Sequence, residues 1–328
     1  MHVMPSTEAT HLTNEFGPGA QSTGVRRERL RADLILLFVS VIWGCGLVVQ
    51  RVAAAHLEPF LYNGVRFLLG ALVLLPVVGR RMSALNRVEL RGGTLVGLLL
   101  FGAVSLQQVG LQFTTAGKAG FITGLYVVFV PLFLALVWRQ WPRWSVWIAT
   151  VLAGAGLFLL SAVERLALSP GDGWELAGAV LWSLHVIFVG QFVIRTNVLR
   201  LALVQFLVCG LLSLAVGLVL FFGRGQTVSP AEMAVAWWTV LYTSVLSIGL
   251  GYTLQGVGQQ WSPATDTALI LSLEAVFAAL LGWVLLGETL TVRQVVGCGL
   301  MLAAMLLVQT CSLVRSVTHA CPSSPSSS

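Results

Sequence analysis

Residues 106–129 read LQQVGLQFTTAGKAGFITGLYVVF, and residues 254–277 read LQGVGQQWSPATDTALILSLEAVF. Aligned without a gap at an offset of 148, they share Leu106/Leu254, Gln107/Gln255, Val109/Val257, Gly110/Gly258, Gln112/Gln260, Ala116/Ala264, Ile122/Ile270, Leu125/Leu273, Val128/Val276 and Phe129/Phe277. Apolar identities are cheap in a hydrophobic chain, whereas paired glutamines and glycines are not. A second block, at offset 139, sets Val41-Ile-Trp-Gly44 beside Val180-Leu-Trp-Ser183 and Val65-Arg-Phe-Leu68 beside Val204-Gln-Phe-Leu207. The nine-residue change of offset falls in the longer segment around Gly223–Glu232. The chain reads as a tandem duplication.

What is duplicated follows from composition. Of 328 residues, 57% are hydrophobic and only 10% charged, with a mean hydropathy of +0.88. A soluble domain carries roughly 25% charged residues, so a water-facing surface cannot be covered here. That excludes a soluble enzyme, a secreted disulfide scaffold and a disordered chain. The net charge of +6 fits basic loops at a membrane face, and no nucleic-acid partner is expected. Cys45, Cys209, Cys298, Cys311 and Cys321 form no CxxC pair and read as small apolar side chains, so neither a metal site nor a cofactor is expected.

Ten apolar runs, approximately 34–51, 59–79, 92–113, 118–138, 144–162, 174–194, 201–222, 234–257, 264–286 and 294–311, each approach the roughly 20 residues that cross a bilayer as a helix. The first is read as a retained span and not a signal peptide, because its polar leader is long and further spans follow. Spans 1–4 correspond to spans 6–9, and by extension 5 to 10. Five is odd, so the second copy crosses in the opposite sense. The expected fold is an all-α membrane protein of ten transmembrane helices in two inverted five-helix repeats. Its organisation is a disordered cytoplasmic tail 1–32, a first repeat 33–163 (helices 1–5), a linker 164–173, a second repeat 174–311 (helices 6–10) and a disordered tail 312–328. Basic residues concentrate in one set of loops, among them Arg26, Arg27, Arg80, Arg81, Arg139, Arg143, Arg195 and Arg200, which puts both termini in the cytoplasm of a multi-pass inner-membrane protein. Inverted repeats that rock about a shared site are a transporter architecture.

Ionisable groups inside spans are costly and are functional candidates by default. Glu274 lies about ten residues into span 9, roughly 15 Å along at 1.5 Å per residue, and reads either as a coupling or substrate group or as a neutral acid bonded to a neighbouring helix. Lys118 and its repeat counterpart Asp266 open spans 4 and 9 at opposite faces, as pathway mouths or as snorkelling interfacial charges. His185 in mid-span 6 is either a proton relay or a packed, hydrogen-bonded ring. Arg66, with Asn63 on the same helix face, is expected to snorkel or to bond a helix end. Gln108/Gln112 and Gln255/Gln259 are i,i+4 pairs at matching ends of spans 3 and 8, lining a vestibule or joining helices. Trp43 and Trp182 are repeat partners that can wall a cavity, whereas Trp138, Trp141, Trp144, Trp147, Trp237, Trp238 and Trp261 read as an interfacial belt. Pro131 is expected to bend span 4.

The run Ala119-Gly-Phe-Ile-Thr-Gly-Leu-Tyr-Val-Val-Phe-Val-Pro-Leu132, with Leu273-Glu-Ala-Val-Phe277 and Leu286-Gly-Glu-Thr-Leu290, resembles the EamA family of the drug/metabolite transporter superfamily. The resemblance covers about residues 33–311. It implies export or exchange of small metabolites, often amino acids or amphipathic compounds, by an ion gradient (protons being a candidate) and without nucleotide. It also brings Tyr126 of the span 4 motif among the pathway candidates. Ala275 stands where that family often has Pro, and Gln140 where an acidic residue is common. A passive channel or facilitator would use similar polar faces. An intramembrane enzyme is the other alternative, but the chain has no HExxH, no GxSxG and no pair of intramembrane aspartates, so no catalytic residue is assigned. The expected partners are a small-molecule substrate, the lipid bilayer and protons.

Overall fold

The structure is a computed structural model that describes residues 18–79, 85–114, 116–160, 169–225, 227, 229–286 and 291–318. Every regular element among them is helical: α1 (Pro18–Ala54), α2 (Pro59–Val78), α3 (Arg87–Phe113), α4 (Ala116–Gly124), α5 (Tyr126–Leu136), α6 (Trp144–Leu160), α7 (Pro170–Val193), α8 (Val198–Gly223), α9 (Pro230–Tyr242), a π-helix (Thr243–Tyr252), α10 (Thr253–Gln259), α11 (Ala264–Leu271), α12 (Glu274–Leu286) and α13 (Val292–Thr318). Among the described residues, nine stretches are long and apolar enough to cross a membrane, and α6, with 17 residues, is a shorter apolar helix. The fold is an all-α membrane bundle.

The helices start where the sequence supplies caps. Asn86 and Glu89 form a reciprocal capping box before α3, as do Ser169 with Asp172 at α7 and Ser229 with Glu232 at α9. Pro170 and Pro230 occupy first-turn positions, where a missing N–H costs nothing. Two boundaries differ from the expectation. Helix α1 begins at Pro18 and α13 runs to Thr318, so parts of both expected tails are helical. At the first of these the reason is visible, because Arg29 is tied into the bundle by an ion pair with Asp266.

Packing exchanges the two halves. Helix α1 lies along α11 and α12, as α7 lies along α4 and α5. Helix α3 packs on α7, as α10 and the π-helix pack on α1; α2 crosses α8, and α6 crosses α13. This partner exchange is what two copies of opposite topology require. At the α6–α13 crossing Gly156 and Gly297 meet backbone to backbone, and a Cβ on either would stand 2.7 or 2.6 Å from the other's carbonyl oxygen. The largest core cluster draws on both halves, with Leu36, Phe67 and Leu100 from one and Ile187, Phe206 and Ile270 from the other. Leu72, Val77, Val151, Val219, Phe222 and Val284 face outward, as lipid-facing side chains should.

Spans 4 and 9 are each broken. The break in span 4 is at Leu125, six residues before Pro131, and that in span 9 falls at Ser272–Leu273. Leu125 and Leu273 are repeat partners, and each donates its N–H three residues back, to Ile122 at 3.2 Å and Ile270 at 3.1 Å. Both joints are therefore tight 3₁₀-type turns. Proline does not cause them: Pro131 sits inside α5, and the position after Glu274 is Ala275.

Candidate functional site

A cavity of about 40 Å³ lies between the halves. Ten of its thirteen lining residues form five repeat pairs: Trp43/Trp182 and Leu47/Val186 at offset 139, and Gln107/Gln255, Thr123/Leu271 and Tyr126/Glu274 at offset 148. Only a space on the axis relating the two copies is bounded this way. The breaks in spans 4 and 9 deliver one of these pairs. Tyr126 and Glu274 are the first residues of α5 and α12, so each stands at the N-terminal end of a half-helix beside the cavity. For a carboxylate that is the favourable end of the helix dipole.

The three lining residues outside the pairs are Gln50, Ser247 and Tyr252. Ser247 and Tyr252 come from the π-helix, whose counterpart in span 3 is regular α-helix carrying Leu99 and Val104 at the matching positions. Wide π-turns re-aim side chains and recur at functional sites. Here Tyr252 becomes the hub of an aromatic wall, its ring 4.8 Å from Trp43 and 6.1 Å from Trp182, nearly parallel to the latter. The Trp43 indole N–H donates to the Ser247 carbonyl at 3.1 Å. The Tyr126 hydroxyl and the Trp182 indole N–H are buried without a hydrogen-bond partner. A polar solute is the natural acceptor for such donors.

Of the sequence candidates, Trp43, Trp182, Tyr126, Gln255 and Glu274 line the cavity. Gln108 does not; its neighbour Gln107 does, and Gln108 donates to the Gln50 carbonyl at 3.2 Å. His185 stands behind the aromatic wall, edge-on to Trp182 and bonded to Gln205 at 3.1 Å. Asp266 lies at the end of the bundle where α1 begins and α13 ends, paired with Arg29. Lys118 is in α4, with its side chain outside the described residues. Arg66 does not snorkel. It is 2% exposed, donates to Gln50 at 2.8 Å and lies over the Tyr62 and Phe67 rings. Thus Arg66 is held one side chain behind the cavity wall.

A second cavity, of about 690 Å³, opens at the end of the bundle holding the termini, between α5, α7, α10 and α11. Gln259 lines it, and Gln255 lines the central cavity one turn away. Gln255 donates to Gln259 at 3.1 Å, and Gln259 donates to the Val186 carbonyl at 2.9 Å. That hydrogen-bonded pair links a wall of the one cavity to a wall of the other.

The EamA-like transporter family model matches residues 30–162 and again 169–310. The chain belongs to this family of membrane transporters. An uncharacterized transporter of Archaeoglobus fulgidus is 31% identical over 86% of this chain and 86% of its own length. The Bacillus subtilis transporter YvbV is 27% identical over 86% of this chain and 92% of its own. The Escherichia coli inner membrane transporter YedA is 26% identical over 83% and 89%. A solved crystal structure superposes with a TM-score of 0.68 at 18% identity, covering 86% of this chain and 98% of that one, which establishes a shared fold. The protein is a multi-pass membrane transporter for a small molecule.

Proposed function

We propose that the chain is a secondary transporter that exports or exchanges a small metabolite by alternating access about the central cavity, driven by an ion gradient, with both termini in the cytoplasm. The observation that carries this reading is the pairing of ten lining residues across the repeat. A site on the axis between two copies is equally reachable from either membrane face once one copy tilts against the other. The small volume argues in the same direction. About 40 Å³ holds only a few water molecules, so a metabolite is admitted by side-chain and helix movement and not through a standing pore. That favours a carrier over a channel. Glu274 is the proposed coupling group, with Tyr126, Gln107 and Gln255 as solute contacts.

The test is counterflow in proteoliposomes with a panel of labelled amino acids, organic acids and amines, with and without an imposed pH gradient. Saturable exchange that accumulates label against its gradient, and stops when the pH gradient is collapsed, is the expected result. Unsaturable flux with single-channel conductance would replace the carrier by a channel.

A further inference from the structure

Glu175 does not line the central cavity, yet it is the least exposed carboxylate among the described residues, with 0% exposure. It sits in α7 near that helix's start, at the end of the bundle away from the Arg29–Asp266 pair. The Thr123 hydroxyl donates to Glu175 Oε2 at 2.8 Å, and the Gln107 amide donates to Thr123 Oγ1 at 3.4 Å. Thr123 and Gln107 both line the central cavity, so a polar chain runs from its wall to Glu175. Glu175 Oε1 has no hydrogen-bond partner.

The repeat supplies an internal control. The counterpart of Glu175 is Leu36, that of Thr123 is Leu271, and that of Gly110 is Gly258. Glu175 presses on Gly110 just as Leu36 presses on Gly258: a Cβ on either glycine would be 2.7 Å from the opposing side chain. The packing role of position 175 is therefore met by leucine in the other half, where Leu36 and Leu271 are both fully buried and apolar. A carboxyl adds nothing to that packing and carries the cost of burying a polar group with one oxygen unbonded.

We infer that Gln107, Thr123 and Glu175 form a proton-operated latch on one gate only, the gate between α4 and α7 at the outer end of the bundle. Closed, the neutral Glu175 carboxyl accepts from Thr123 and holds the half-helix α4 against α7. When water reaches it, the carboxyl gives its proton to that water, the resulting carboxylate draws hydration, and α4 is released. Charged neighbours do not substitute for this. Asp172 of α7 takes bonds from Thr114 and Ser169. Arg87, Glu89 and Arg91 lie at the far end of α3, where Glu89 pairs with Arg200 of α8. Asp266 of α11 pairs with Arg29 at the opposite end. Tyr126 of α5 faces the cavity, α10 brings only the amides Gln255 and Gln259, and the Lys118 side chain of α4 is outside the described residues.

The latch rests on the transporter reading for its purpose but not for its test. Hydrogen–deuterium exchange of the full chain in nanodiscs is followed by mass spectrometry over a pH series, with rates corrected for intrinsic exchange. The α4 peptide is expected to lose protection several-fold as pH rises, while the α11 peptide stays level. Glu175→Gln and Glu175→Leu should abolish the pH dependence, and Thr123→Val should leave α4 open at every pH. Glu175→Leu copies packing the other half already uses, so it is the variant expected to fold. An infrared band of a protonated carboxyl, present in the native protein and missing in E175Q, gives a second readout. If E175Q keeps the native pH response of α4, the latch is wrong whatever the flux assays report. Loss of that response in a protein that transports nothing would overturn the carrier reading and leave the latch standing.

Discussion

Glu274 shows how much a residue's position in a repeat can say. Its counterpart is Tyr126, both begin a half-helix, and both reach the same cavity. The pairing of Trp43 with Trp182 and of Gln107 with Gln255 was equally readable, because large or polar identities survive in a background of interchangeable aliphatic residues. Tyr252 and Ser247 were not readable, since their counterparts are Val104 and Leu99 and only the π-helix turns them inward. Glu175 was masked by its surroundings: in Gly171-Asp-Gly-Trp-Glu175 it looks like part of a polar span end. If Glu274 couples transport, Glu274→Gln should cut counterflow more than tenfold, by analogy with the 10²–10⁴-fold contributions of positioned acid–base groups, and flatten its pH profile. Tyr252→Leu removes the ring that stacks on Trp182 and leans on Trp43, and should weaken solute affinity with less effect on turnover. An affinity left intact would exclude the aromatic wall from solute contact.

At the scale of elements, the ten runs were legible, whereas the interruptions within them were not. Leu125 and Leu273 are ordinary helix formers, and nothing local marks them as joints. The visible breaker, Pro131, is accommodated inside α5. The half-helices share α6 and α7 but differ in their other partners: α4 also lies on α1, α3 and α12, while α5 also lies on α11. Tertiary contact decided what propensity could not. The α6–α13 pair is different in kind, a crossing tight enough to need glycine on both sides. Gly297→Leu would force the two backbones apart, and overpacking of this sort typically costs about 1–3 kcal/mol. Thermal unfolding in detergent should show a lowered Tm for this variant and for Gly156→Leu, with no comparable drop for Gly299→Leu, whose Cβ would meet open space.

For the molecule as a whole, two related halves leave two ends that are not alike. At one end Glu175 accepts from Thr123; at the other the counterpart positions hold the buried Leu36 and Leu271, with Arg29 paired to Asp33 and Asp266 at the mouth. Reversing one charge at that mouth, as Arg29→Asp or Asp266→Arg, should reduce exchange flux several-fold. The double exchange should recover much of it, because the ion pair is rebuilt with opposite polarity. Failure of the double variant alongside normal folding would mean that the pair acts through more than its mutual attraction.

The confined volume at the centre has a consequence for the solvent. A site for a metabolite is typically at least about 300 Å³, against about 40 Å³ here. At roughly 30 Å³ per molecule, opening draws in on the order of ten waters. The balance between closed and open forms is then tied to water activity. An osmolyte too large to enter should favour the closed form, so that osmotic stress acts as an inhibitor that binds nowhere.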